Sequence, residues 1–365
     1  MPYVTYIIKD TVVTEERDTI TDLLLSAAGY GDTERQKYSK GFFNTRTYHV
    51  DNPQHMYMGT LSDYAITNSL VIPREYTHFR IPKSSGGTRL IEAPSDRLKQ
   101  AQRRLADLMM IDYKIFPHNA AYAYTRGRCA YDSLVTHQRH NARWFLKLDI
   151  KEFFPSTTKE LLKTKLKDIY PLCLLNDTAM EALTHIATNE NNVLPQGSPL
   201  SPLLSNLVLL EFDLKLSTKL RNFNHQKYTY TRYADDMLIS CAYDFKYQDI
   251  IDTIEELFRE LNLPYAIARH KTRYASSAGR NWNLGLMYNY EQKITVGSKR
   301  KKELHSLLNS FVVEYPWEKQ PTQELLGKLA YLRNVEPNYY SNMVNKYNDK
   351  YDVNVVEMFT TILRS

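Results

Sequence analysis

The 365-residue chain is poor in cysteine. Cys129, Cys173 and Cys241 are odd in number and include no CxxC pair, so neither a disulfide framework nor a tetrahedral zinc site is encoded. The thiols are expected to be reduced and mostly buried. No stretch approaches the roughly 18 uninterrupted apolar residues of a membrane-spanning helix. GxxxxGK, GxSxG and HExxH are all missing, which leaves P-loop, serine-hydrolase and zinc-protease readings without a footing. His137, His140 and Cys129 lack a fourth ligand, and the intervening Arg139 opposes a cation. There is no repeat, low-complexity tract or long Gly, Ser or Pro linker. The amino terminus MPYVTYIIKDTVVTEERD reaches Lys9 and Asp10 before a secretory core could form, so no leader is expected and the protein is read as cytoplasmic.

The composition, 43% hydrophobic and 24% charged, is that of a globular protein, and the length allows two or three subdomains with a shared core. The net charge of +6 is modest but clustered. Arg80, Lys83, Arg89, Arg97, Lys99, Arg103 and Arg104 fall within 25 residues, and 298–302 reads SKRKK. Such clusters suit a polyanion, with a solvated face as the alternative.

From Asp96, Leu98, Ala101, Leu105 and Leu108 recur at helical spacing, with Lys99, Arg103 and Arg104 largely off that stripe. Trp144 to Ile150 (WFLKLDI) reads as a buried strand delivering Asp149 at its carboxyl end. LPQGS (194–198) is turn chemistry; Ser201 is then expected to cap a buried helix with Pro202 in its first turn. YTYTRYADDMLISC (228–241) reads as a hairpin with Asp235 and Asp236 at its tip. Ile250 to Leu261 predicts a helix ended by Asn262 and Pro264. The last 70 or so residues predict three helical segments separated by Pro316, Pro321 and Pro337.

Asp149, Asp235 and Asp236 thus stand at strand ends, where unpaired desolvated carboxylates are costly unless a cation joins them. Oxygen-only ligands favour Mg²⁺, with Mn²⁺ as the alternative. Two such ions about 3.5–4 Å apart suit phosphoryl transfer. A YxDD tetrapeptide alone is a weak motif, and a hydrated turn is its ordinary explanation.

The ordered set is far more specific. RIPKSSGGTRLIEAP (80–94), FLKLDIKEFFPS (145–156), LPQGSPLSPLLSNL (194–207), YTRYADDMLIS (230–240), HKTR (270–273) and NLGLMYN (283–289) follow the block order of reverse transcriptases. From about Arg80 to Asn289 the chain resembles prokaryotic enzymes of the retron and group II intron kind. That resemblance implies an α+β, right-hand polymerase fold: an N-terminal extension over 1–75, fingers over 76–144, a palm of antiparallel sheet plus helices over 145–289 with part of the fingers around 157–193, and a small helical thumb over 290–365. It implies that Asp149, Asp235 and Asp236 hold two Mg²⁺ ions with the backbone carbonyl of Ile150, and that Lys271 is a general acid toward pyrophosphate. Lys83 and Arg89 would grip the incoming dNTP, with Gln196 and Gly197 against the nucleotide and template base. Phe154 would exclude a 2′-hydroxyl while Phe153 faces the core. Arg126, Arg128, Leu284, Gly285, Lys299, Arg300, Lys301 and Lys302 would contact primer and template.

Two departures stand out. Leu284-Gly285-Leu286 occupies the place where retron enzymes usually carry VTG, and Thr136-His137-Gln138-Arg139-His140 stands where they carry NAxxH. These favour a compact free-standing enzyme, such as the defence-associated bacterial reverse transcriptases. The expected partners are an RNA template, a DNA or RNA primer and dNTPs, with a noncoding RNA and an effector protein as further candidates. A protein- or RNA-primed, weakly templated polymerase is the alternative activity; a module that only holds structured RNA is the alternative of another class.

Overall fold

The computed structural model describes residues 3–8, 11–16, 46–49, 59–82, 86–112, 115–221, 223–277 and 280–364. The chain divides into two compact units. One comprises Met1–Cys129, Leu146–Ile239 and Phe245–Arg273; the other comprises Ala130–Phe145, Ser240–Asp244 and Tyr274–Ser365.

Near the amino terminus Tyr3–Ile8 (β1), Thr11–Glu16 (β2) and Arg46–His49 (β3) form an antiparallel sheet in that order. Tyr76–Pro82 (β4) and Thr88–Pro94 (β5) form a second antiparallel pair, in register from Tyr76 opposite Pro94 to Pro82 opposite Thr88. Trp144–Asp149 (β6), Thr229–Tyr233 (β7), Asp236–Cys241 (β8) and Arg273–Ser276 (β9) build a four-stranded sheet in the order β7-β8-β6-β9. The β6 and β7–β8 assignments match the sequence reading.

In the first unit the helix Asp96–Asp107 buries Leu98, Ala101 and Leu105 as its spacing predicts. Gln102 is buried as well and is fully used. Its amide nitrogen donates to the Ile186 carbonyl and the Tyr76 hydroxyl, and its oxygen accepts from Ser198 Oγ. The helix Ser201–Val208 is buried almost all round, its polar Ser201, Ser205 and Asn206 included, so it lies inside the core rather than on its surface. Leu210–Arg221 follows, and its Phe212 stacks on Phe258 of the helix Tyr247–Glu260 at 4.8 Å. The expected Ser201 cap is not formed. Ser201 is already helical, preceded by Leu200, and its buried hydroxyl finds no partner among the described residues. Ser198 Oγ instead accepts the Leu200 N–H: the turn, not the helix's own first residue, supplies the acceptor.

The second unit is built on aromatics. Phe145 packs against Trp282 and Tyr288 at 4.9 and 5.3 Å and against the His137 ring at 5.5 Å. Its carboxyl-terminal part contains the helices Ser298–Val313, Lys319–Val335, Pro337–Tyr351 and Val355–Arg364, four where proline spacing predicts three. Pro321 and Pro337 lie in first turns, where a missing N–H costs little, and so open helices rather than divide them. The extra break comes at Asp352, whose left-handed backbone (φ 50°) ends the third helix. Among the described residues no helix is long and apolar enough to cross a membrane. None of the three cysteines is in a disulfide, and only Cys241 is buried, with Cys129 and Cys173 half-buried where mostly buried thiols were expected.

Candidate active site

The strand β6 buries Phe145, Leu146 and Leu148, leaves Lys147 half-buried, and brings Asp149 to the strand end only 8% exposed. Between β7 and β8 the chain reverses through Ala234 and Asp235. Ala234 adopts φ 58°, a left-handed conformation uncommon for a residue with a β-carbon. The two carboxylate-bearing segments are tied through their backbones: the Ile150 N–H donates to the Asp235 carbonyl at 3.0 Å. On its other side the end of β6 is held by Ala268 N–H to the Asp149 carbonyl and Lys151 N–H to the Ala266 carbonyl, both at 2.8 Å.

The three carboxylates are not equivalent. Asp149 receives the Lys271 ammonium on both oxygens, at 2.9 and 2.8 Å. Asp236 turns to Lys147, 2.8 Å away. Asp235 makes no ion pair among the described residues, and burial, then the charges of Asp149 and Asp236, hold its carboxyl above the usual carboxylate range. Asp235 thus feels the charges of both other acids, while each of those two has a lysine partner. Among the described residues no group of three or more His, Cys, Asp or Glu side chains is gathered to hold a metal ion. Two carboxylates suffice for Mg²⁺, which keeps waters and substrate phosphates as its other ligands, and the unpaired Asp235 is the donor a cation would relieve.

Other predicted residues fall as follows. Phe153 is buried, with its ring edge-on to Tyr265 at 5.2 Å, whereas Phe154 is half-buried and its ring meets that of Phe153 at 5.6 Å. Arg89 is exposed on β5 opposite Ile81, and Lys83 lies outside the described residues. The Gln196 carbonyl accepts the Glu92 N–H at 2.7 Å, and a β-carbon on Gly197 (φ 135°) would lie 2.7 Å from the Glu92 carbonyl oxygen. Gly197 is thus required by close approach to β5. Arg128 donates to the Asn119 carbonyl and stacks over Tyr122, while Arg126 is exposed. In the second unit, Leu284 (φ 44°) and Gly285 (φ 89°) form a turn against Arg300, whose Nη1 would be 3.2 Å from a β-carbon at Gly285. Arg300 also lies over Tyr331. Lys299 and Lys302 are exposed, but Lys301 is committed to Glu336 at 2.5 Å and to the Tyr339 ring. His137 is a core residue bonded to Ser240 Oγ at 2.6 Å.

Sequence reasoning missed Lys147, Asp213 and Arg232. Lys147 and Arg232 each interrupt a run of buried positions, and a charge in a buried strand signals a partner elsewhere. Asp213 carries no such signal, since charged residues are ordinary in helices.

A family model described as reverse transcriptase (RNA-dependent DNA polymerase) matches residues 81–315. The retron Ec73 reverse transcriptase of Escherichia coli is 30% identical over 275 residues, 73% of this chain and 85% of the relative. Retron Ec83 reverse transcriptase of the same organism is 29% identical, covering 75% and 87%. Retron Mx65 reverse transcriptase of Myxococcus xanthus is 31% identical, covering 77% and 66%. Among solved structures, apo telomerase from Candida tropicalis aligns over 84% of this chain and 66% of that chain, at 13% identity and a TM-score of 0.48. Despite the departures at 284–286 and 136–140, these three relatives are retron enzymes. With the family match spanning most of the chain and mixed helices and antiparallel strands carrying its blocks, the chain belongs to the reverse transcriptases, as a retron-like RNA-directed DNA polymerase with the right-hand polymerase fold.

Proposed function

We propose that the chain copies an RNA template by adding dNTPs to a primer 3′-hydroxyl at Asp149 and Asp235, in a bacterial retroelement or anti-phage system with a noncoding RNA and an effector protein as partners. The observation that carries the site is the pairing pattern: Lys271 and Lys147 neutralise Asp149 and Asp236, and the half-buried Asp235 makes no ion pair among the described residues.

Asp149 and Asp235 would hold two divalent ions, Mg²⁺ or Mn²⁺. The Ile150 carbonyl suits a third donor, because a strand residue's C=O points to the same side as its N–H, which here meets Asp235. When bound, such ions stabilise charge on the attacking and leaving oxygens. Lys271 would turn from Asp149 toward the leaving pyrophosphate and give its proton to it. Asp236 anchors the start of β8 through Lys147 and so fixes the Asp235 turn. Phe154 lies beneath the incoming sugar, with Gln196 and Gly197 beside the base and Arg89 and Lys83 on the triphosphate. Leu284 and Gly285 hold the primer end, and Lys299, Arg300 and Lys302 follow the duplex phosphates, with Arg126 on the template. The committed contacts of Lys301 and Arg128 give those two a structural part instead.

The test is extension of a primed RNA with dNTPs by Asp149→Asn and Asp235→Asn. Both should lose incorporation while keeping the wild-type melting temperature. Synthesis persisting in either variant overturns the assignment.

A further inference from the structure

Beneath the Asp235 turn lies a buried polar knot that catalysis as described does not use. Arg232 and Asp213 are both wholly inaccessible and joined side by side: Arg232 Nε is 2.9 Å from Asp213 Oδ1 and Nη2 is 2.6 Å from Oδ2. Tyr230 adds a hydroxyl bond to Asp213 Oδ1 at 2.6 Å. The remaining arm of the guanidinium, Nη1, donates to Asn206 Oδ1 and to the carbonyl of Ala234, both at 3.0 Å. Asn206 in turn donates to the Ala123 carbonyl at 2.9 Å. The backbone of Arg232 is fixed as well, its N–H donating to the Ala120 carbonyl and its own carbonyl accepting from Tyr122.

A hydrophobic core has no need of this arrangement. An ion pair fully out of water is a poor source of stability, and apolar residues of similar volume usually replace it at no loss. What they cannot supply is a donor of fixed geometry aimed at one backbone oxygen. The oxygen in question belongs to Ala234, the left-handed residue that immediately precedes Asp235. Non-glycine residues keep such a conformation only where their surroundings over-determine it. The guanidinium fork does this: two donors lock it on Asp213, and a third is left pointing at the turn.

We propose that Arg232, oriented by Asp213 and Asn206, is a positioning residue for the polymerase reaction. It holds the Ala234 carbonyl and thereby sets where the Asp235 carboxylate stands relative to Asp149. This rests on the reading of Asp235 as a cation-holding carboxylate.

The test uses the full chain and four variants. The double variant Arg232→Met with Asp213→Leu removes the ion pair without leaving a buried charge. Arg232→Lys keeps the charge against Asp213 but loses the donor to Ala234. Tyr230→Phe removes a bond to Asp213 while leaving the Ala234 contact, and Asp235→Asn reports on the site itself. Each is measured by thermal melting, by kcat and KM for dNTP on a primed RNA, and by Mn²⁺ binding followed through the spin-resonance signal of the free ion. The double variant and Arg232→Lys should lose kcat by about a hundredfold with KM within threefold of wild type, and bind Mn²⁺ at least tenfold more weakly. Tyr230→Phe should keep wild-type kcat. A folded double variant with wild-type kcat and Mn²⁺ affinity overturns the proposal, as does Tyr230→Phe losing as much kcat as Arg232→Lys. If the double variant does not fold, Arg232→Lys decides alone, and wild-type kcat there overturns the proposal. An active Asp235→Asn would instead remove the reading of the site on which this rests.

Discussion

The Lys271 ammonium bridges the two oxygens of Asp149, at 2.9 Å from Oδ1 and 2.8 Å from Oδ2. A cation approaching Asp149 therefore competes with a lysine already in place. Lys271→Ala should tighten Mn²⁺ binding several-fold while slowing nucleotide addition by about a hundredfold, the range for loss of a general acid. Titration of free Mn²⁺ beside a primer-extension assay separates the two effects. Weaker Mn²⁺ binding in the variant would show that Lys271 supports the cation rather than competing with it.

Under the proposed function Phe154 selects the sugar. Truncation to Val should raise rNTP use relative to dNTP, tenfold for each 1.4 kcal/mol or so of relative transition-state binding. Phe153, buried against Tyr265, should behave otherwise: Phe153→Ala is expected to cost roughly 3–5 kcal/mol of stability without relaxing sugar choice. Single-nucleotide extension and denaturant melts read the two outcomes, and exchanged phenotypes would mean the block is misassigned by one residue.

The basic run at 299–302 divides by contact. Lys299 and Lys302 are exposed, so Lys299→Gln with Lys302→Gln should reduce the slope of log affinity against log salt by about 2 on duplex, near 0.9 for each lost phosphate contact. Lys301→Ala breaks the Glu336 pair and is expected to lower the melting temperature instead. An unchanged slope in the first variant returns that face to plain solvation.

Burial, with a smaller contribution from His140, lowers His137 to about 3. The unfolded chain takes up a proton near pH 6.5 whereas the folded chain resists until near 3, so protonation favours unfolding. The contribution of neutral His137 is whole above about pH 6.5 and is lost as pH falls, at up to about 1.4 kcal/mol per pH unit. Denaturant melts at pH 7.5, 6 and 5 should show this slope, and His137→Gln should flatten it. An equal slope in both proteins would assign the acid sensitivity to other groups.

Local pattern made much of the molecule readable. The apolar run WFLKLDI, and the alternation of 228–241 with its break at Ala234-Asp235-Asp236, located β6 and the β7–β8 turn, because each signal depends only on near neighbours. The helix after Asp96 followed its stripe for the same reason. Contacts over long separations were illegible. Nothing near Asp213 announces Arg232, 19 positions on, and nothing near Lys301 announces Glu336, 35 positions on. The same blindness made three aspartates look alike, since lysine partners at 147 and 271 distinguish them only once the chain is folded. The break at Asp352 was missed because a left-handed residue other than glycine leaves no mark in composition.

The contact of Gly197 with strand β5 has a consequence for anyone who wishes to re-engineer the enzyme. The Gln196 carbonyl and the Gly197 α-carbon both rest on Glu92, so the turn at 194–198 and the β4–β5 hairpin pack as one unit. A library that randomises Gln196 to Ser198 alone would consist mainly of clashing members, because any side chain at 197 meets a backbone oxygen that cannot step aside. Variants of altered template or nucleotide choice should therefore come from exchanging 88–94 and 194–198 together between relatives, where each half arrives with the surface that selected it.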